Sequence, residues 1–257
     1  MNQPGISRRA ALGRAGGLLA VAGLGSIPGS ALLATPAYAS PSPKVPERDD
    51  IQAALRRLKE EQAKIFTGKL GPNSWEMEKV TDGGGSIWTR PVPGTELDGV
   101  AVRLGEAEAL LFHVIRRFHY EIDFLRKGDV AGWQAPGKVR KGLPEGNLAS
   151  GTAIRIRPGH YPVGVKGGFF PYEMVVIRDI LAELDGVVRW GGDDPKPDEA
   201  LFYLAVGPDD RRLVEVAAKI RGWNERPDAG PGTGVDVLDS KRRSAAKSLE
   251  NRQRKAA

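Results

Sequence analysis

An α+β domain, with helices packed on a small, largely antiparallel sheet, is the fold this chain predicts. Three observations lead there. Apolar residues recur at helical spacing in several separated segments, and short alternating or apolar runs lie between them. The order of these segments is helix, loop, strand, helix, strand, strand, helix, without the regular strand–helix alternation of a parallel sheet.

From the amino end, Asp49 or Asp50 caps a helix running to about Phe66, with Ile51, Leu55, Leu58, Ile65 and Phe66 near helical spacing. Gly68, Gly71 and Pro72 end it. Trp75, Met77 and Val80 then alternate, Asp82-Gly83-Gly84-Gly85 turns, and Ile87-Trp88-Thr89 returns, which predicts a β-hairpin closed by Pro91 and Pro93. Val100 and Val102 suggest a short strand. Residues 106–126 make the clearest helix, with Leu111, Val114, Ile115, Phe118, Ile122 and Leu125 facing a core. In Arg116-Arg117 the arginine pair reads as solvated.

A long basic loop punctuated by glycine and proline runs from Gly128 to Gly146. Thr152–Arg157 alternates as a strand, Ala153 and Arg155 facing one way and Ile154 and Ile156 the other. Pro171 stands where a first helical residue would, ahead of a helix to about Leu184. Val187–Trp190 and Leu201–Val206 read as strands, and Asp209–Arg221 as the last helix of the domain. From about Asn224 onward the chain is rich in glycine, proline and charge. That composition predicts no packed structure, with a solitary helix over 240–255 as the exception.

The two ends carry the basic surplus of the chain. Arg8, Arg9 and Arg14 precede residue 40 without an acid, and residues 240–257 hold seven Lys and Arg against Glu250 alone. The part between is weakly acidic, so charge gives no reason to expect a nucleic-acid partner. Ser7-Arg8-Arg9-Ala10-Ala11-Leu12, a weakly apolar stretch and Ala37-Tyr38-Ala39 resemble a twin-arginine export signal with its cleavage site. The expectation is a secreted, extracytoplasmic protein with no transmembrane segment after cleavage. The chain has no cysteine, so disulfides, thiolate metal sites and a Cys nucleophile are excluded.

The most informative motif is Gly146-Asn147-Leu148-Ala149-Ser150-Gly151-Thr152-Ala153-Ile154-Arg155, followed by Trp190-Gly191-Gly192-Asp193-Asp194 and Asp198-Glu199-Ala200-Leu201-Phe202-Tyr203. Together they resemble the core of the zinc D-alanyl-D-alanine carboxypeptidase and L-alanyl-D-glutamate endopeptidase family, over about residues 100–222. The first motif of that family reads Ser-x-His-x-x-Gly-x-Ala-x-Asp, and a later one Glu-x-x-His. Gly151, Ala153 and Glu199 match. The three metal-ligand positions fall on Leu148, Arg155 and Phe202. Leucine and phenylalanine have no lone pair to give, and arginine is a permanent cation. The resemblance therefore implies the scaffold of a peptidase without its zinc, with Glu199 at the position of the general base.

The domain organisation expected is a signal at 1–39, a linker at 40–48, a helix and hairpin extension at 49–97, a carboxypeptidase-like domain at 98–222 and a basic tail at 223–257. The function expected is a non-catalytic relative of cell-wall peptidases, without a cofactor, binding peptidoglycan stem peptides or an envelope protein. Its cleft would be lined by Ser150, Arg155, Arg157, His160, Asp193, Asp194 and Glu199. Arg155 would replace the charge of the metal and pair with Glu199, Asp193 or Asp194, while Leu148 and Phe202 fill the cavity. Two alternatives stand beside it. One is an active metallopeptidase with zinc rebuilt through His160 and the acids. The other is an envelope protein acting through its basic tail.

Overall fold

In a computed structural model, the described residues are 48–140 and 142–255. The expected export signal and nearly all of the expected linker lie outside them. The chain is an α+β protein. Its elements are α1 (Arg48–Ile65), β1 (Phe66–Leu70), β2 (Glu76–Glu78), β3 (Ile87–Arg90), β4 (Val100–Arg103), α2 (Glu106–Glu121), β5 (Val130–Ala131), β6 (Ala153–Ile156), α3 (Pro171–Glu183), β7 (Val188–Trp190), β8 (Leu201–Leu204), α4 (Arg211–Asn224) and α5 (Ser240–Lys255). Short 3₁₀ turns cover Pro144–Ser150 and Gly191–Asp193.

The central sheet has four strands in the order β5-β6-β8-β7, each pair antiparallel. Cross-strand pairs fix which side chains share a face. Ile154 opposes Phe202, and Val188 opposes Leu204. These point into the main core beneath α2, α3 and α4, where Ile115, Phe118, Ile180 and Ile220 are fully buried. Ala153 opposes Tyr203, and Arg155 opposes Leu201. This second face is covered by the 3₁₀ turn Pro144–Ser150, whose Leu148 packs on Ala153, Leu201 and Tyr203.

The helices start where local chemistry lets them. Pro171 opens α3, and the Phe170 amide donates to Glu173 Oε2 at 2.7 Å. Asp210 caps α4 by accepting from the Arg212 amide at 2.9 Å. Helix α2 stops at Glu121, short of the expected 126, because buried His119 accepts the Leu125 amide on Nδ1 at 3.0 Å and turns the chain.

Three expectations need correction. The arms of the expected hairpin do not pair with each other. The Glu78 carboxylate at the end of β2 takes the Ser86 and Ile87 amides, so β2 pairs with β1 and β3 with β4. Residues 49–97 are consequently woven into the domain. The Asn73 side chain donates to Thr152 Oγ1 and to the Leu204 carbonyl, both at 2.9 Å, and the Trp75 indole donates to the Val206 carbonyl. The tail is packed as well. Helix α5 buries Ala246 and Leu249 against α3, and its Arg242 pairs with Asp179 and Glu183. Finally, Arg117 is not solvated. It is 1 % exposed and bound to Glu121, Asp179 and Glu183. A buried cation needs such partners, because leaving one bare costs several kcal/mol.

Helix α1 differs from the rest. It buries none of its residues, and Ile51, Leu55 and Leu58 are about half exposed.

Candidate functional site

The motif strand β6 and strand β8 lie side by side, so the two halves of the sequence motif do meet. The junction before β6 depends on Gly151. Its φ is +67°, and a Cβ there would stand 2.8 Å from the Arg103 amide nitrogen. Only glycine fits both the left-handed conformation and the close approach.

Arg155 projects from β6 onto the second face and is held between two acids. Its Nε and Nη2 donate to Asp198 Oδ2 at 3.1 and 2.6 Å, and Nη2 also reaches Glu145 Oε2 at 3.0 Å. Glu145 is held in turn by Arg140, whose backbone amide and Nε donate to Oε1 at 2.6 Å and whose Nη2 donates to Oε2 at 2.6 Å. Bonding to Arg140 and the nearby Arg155 charge keep the Glu145 carboxyl down at about 2. Asp198 spends only one oxygen on Arg155. Its Oδ1 is buried and has no hydrogen-bond partner.

Beside this network opens a cleft of about 180 Å³, lined by Arg140, Glu145, Asp194, Lys196, Asp198 and Leu201 among others. Asp194 accepts the Tyr203 hydroxyl at 2.9 Å, and burial pushes its carboxyl above the ordinary value. Gly146, next to Glu145 in the chain, lines a larger and mainly apolar groove of about 740 Å³. Leu70, Met77, Pro136 and Val139 contribute to it, with Lys69 and Lys79 also in its lining.

The expected cleft assembles only in part. Asp194 lines it, and Arg155 stands behind it, bonded to the lining residues Glu145 and Asp198. The other residues are engaged elsewhere. Glu199 accepts the Gly167 and Gly168 amides, one on each oxygen at 2.8 Å, so it ties down a loop and does not face Arg155. Asp193 pairs with Arg178 on α3. Ser150 is fully buried, bonded to the Asn147 carbonyl and to Thr152. Arg157 pairs with Asp123 and Asp129 beyond the strand end. His160 sits exposed in a turn, its amide bonded to the Arg157 carbonyl.

Arg155 is thus a counter-charge, but to Asp198 and Glu145, not to Glu199, Asp193 or Asp194. The reason is the register between β6 and β8. Successive side chains of a strand alternate faces, and the register puts Leu201, not Phe202, beside Arg155. Phe202 is buried on the opposite face beneath the helices and shares no cavity with Leu148. Asp198 stands three residues before Leu201, the spacing that the motif comparison gave to Glu199 and Phe202.

These residues do not fit a zinc ion. Leu148, Leu201 and Phe202 have no donor atom, and Arg155 fills the space between the acids. Among the described residues no group of three or more His, Asp or Glu is arranged to hold a metal. Glu145 was absent from the expected cleft because nothing in a glycine-rich loop marks one carboxylate over another. Asp198 lies in the turn ahead of β8, outside the strand, so face alternation did not mark it. Comparison of the chain with family models, with curated proteins and with solved structures finds no match.

Proposed function

We propose that this chain is an exported, non-catalytic binding protein on a peptidase-like sheet, and that the cleft beside Arg155 receives the end of a cell-wall stem peptide. The observation that carries this is the Glu145–Arg155–Asp198 bridge. A guanidinium occupies the ground between the motif strands, where the resemblance asks for a metal, and it leaves one Asp198 oxygen without a partner beside an open cleft. An ammonium or amide N–H is the natural partner for that oxygen and for Asp194. Arg140 and Lys196 supply the opposite charge for a carboxylate. Drug-sized ligands need about 300 Å³ or more, so a 180 Å³ cleft suits a chain terminus. The adjoining apolar groove leaves room for the rest of an extended ligand.

The test is calorimetric titration of residues 40–257 with a D-alanyl-D-alanine-terminated stem peptide, with the peptide recovered and checked for cleavage. Saturable one-to-one binding of intact peptide is expected, weakened by Lys196→Glu. It should be unaffected by neutralising Arg252, Arg254 and Lys255 on α5. Binding lost only with the α5 charges would transfer the function to the tail. Cleavage accompanied by stoichiometric zinc would make the protein a metallopeptidase.

A further inference from the structure

Another cavity, on the helical side of the molecule, has chemistry that the cleft does not use. It lies between the amino half of α2 and the carboxyl end of α4, with a volume of about 250 Å³. Three of its lining residues have basic side chains: His113 and Arg116, one turn apart on α2, and Arg221 on α4. We propose that this cavity binds a small protonated phosphate group, either the free anion or a phosphate monoester.

The first reason is an uncompensated charge. Arg116 is half-buried, yet among the described residues it has no carboxylate partner. Its Nη1 donates to the Asn224 amide oxygen at 2.7 Å, and its Nε is buried with no acceptor at all. Burial pulls its pKa down, as expected for a cation short of counter-charge. Arg221 adds a second guanidinium, 3.8 Å from Glu106. Glu108 is the one acid in the lining, and its Oε1 lies 3.5 Å from Arg90 Nε. Two guanidiniums at one small cavity call for an oxyanion.

The second reason is the orphaned nitrogen of His113. The side chain is 2 % exposed, and its Nε2 lies 2.8 Å from Glu183 Oε2. Burial opposes ionisation of Glu183, but bonding to His113 and the Arg117 charge hold that carboxyl at about 2. An ionised carboxylate can only accept, so Nε2 carries the proton; burial pushes the His113 pKa down, and on the neutral ring Nδ1 presents a lone pair. That Nδ1 is buried and has no partner. Buried polar atoms without partners are rare in folded proteins and point to a missing group.

The ligand must therefore offer a donor to Nδ1 and anionic oxygens to Arg116 and Arg221. A monoprotonated phosphate carries both on one small tetrahedron. A carboxylate carries only acceptors and would set lone pair against lone pair at Nδ1. This is why phosphate chemistry is favoured over carboxylate chemistry. The inference does not depend on the proposed peptide-binding role.

The chain has three histidines, so its imidazole proton spectrum is simple. Residues 40–257 are titrated with inorganic phosphate, and separately with acetate and with chloride at matched ionic strength. A saturable shift of the His113 resonances with phosphate alone is expected, with His119 and His160 unmoved. Methyl phosphate in place of phosphate tells a monoester from the free anion, and either one binding supports the site. Arg116→Gln should weaken binding by roughly tenfold or more. If that variant does not fold, the more exposed Arg221→Gln takes its place. The proposal is overturned if phosphate leaves His113 unmoved or shifts all three histidines alike. Equal response to acetate, or a folded variant that binds as tightly as the parent, overturns it too.

Discussion

Replacing Arg155 by methionine keeps most of the side-chain volume and removes the charge. Asp198 then loses both of its hydrogen bonds, because its other oxygen already has no partner. Its side chain is 6 % exposed, so water replaces the guanidinium only in part. Glu145 fares better, since Arg140 still bonds both of its oxygens. The cost is therefore that of one stranded buried carboxylate. Breaking a buried pair from one side costs about 3–5 kcal/mol, and the partial exposure of Arg155 places this case near 3. For a domain of this size that corresponds to a fall in Tm of roughly 6–12 °C. Thermal unfolding followed by circular dichroism measures it. Pairing the change with Asp198→Asn removes the stranded charge, so the double variant should recover at least half of the loss. A fall below about 3 °C for Arg155→Met, or a double variant no more stable than the single, would refute the reasoning.

Other outcomes follow from the same contacts. Glu145 has its carboxyl depressed from 4.5 to about 2, so its contribution is complete above pH 4.5 and is lost as the pH falls toward 2. Glu183 shares that window, and Glu145→Gln should make the urea midpoint fall less steeply between pH 5 and 3 without flattening it. Ending the chain at Asp239 exposes the surface under Ala246 and Leu249 and removes Arg242 from Asp179 and Glu183, which should cost about 3 kcal/mol by urea unfolding. Leu55→Ser on α1 should change stability by no more than about 0.5 kcal/mol, since no α1 residue is buried.

What the sequence revealed, and what it hid, divides along the range of the interactions. Helices α2, α3 and α4 were visible because each writes its own apolar stripe, a matter of spacing within one segment. Strand pairing is not local. Trp75, Met77 and Ile87 announced extended chain, but nothing near them told that Glu78 would intercept the returning amides and redirect both arms. The role of Arg155 as a counter-charge was readable from chemistry alone, because a cation on the buried motif strand needs an acid. Its partners depended on which residues of β8 share its face. That register is set by the whole sheet, and a one-residue difference exchanges Phe202 for Leu201 and Glu199 for Asp198. The tail misled by composition. Gly, Pro and charge between Asn224 and Ser240 describe a connector, and α5 beyond it has few apolar residues. Two buried positions and one arginine were enough to dock it. Arg117 was hidden by its neighbour, because Phe118 satisfied the stripe and nothing marked the adjacent cation as buried.

The proposal that Arg155 stands where a metal would be needed is tested most directly by the zinc content of residues 40–257, purified without chelator and measured by mass spectrometry. Well under a tenth of an equivalent per chain is predicted, unchanged when zinc is added and the protein desalted, together with no cleavage of stem peptide. One equivalent of zinc that survives desalting, and that a chelator removes together with a cleavage activity, would contradict it.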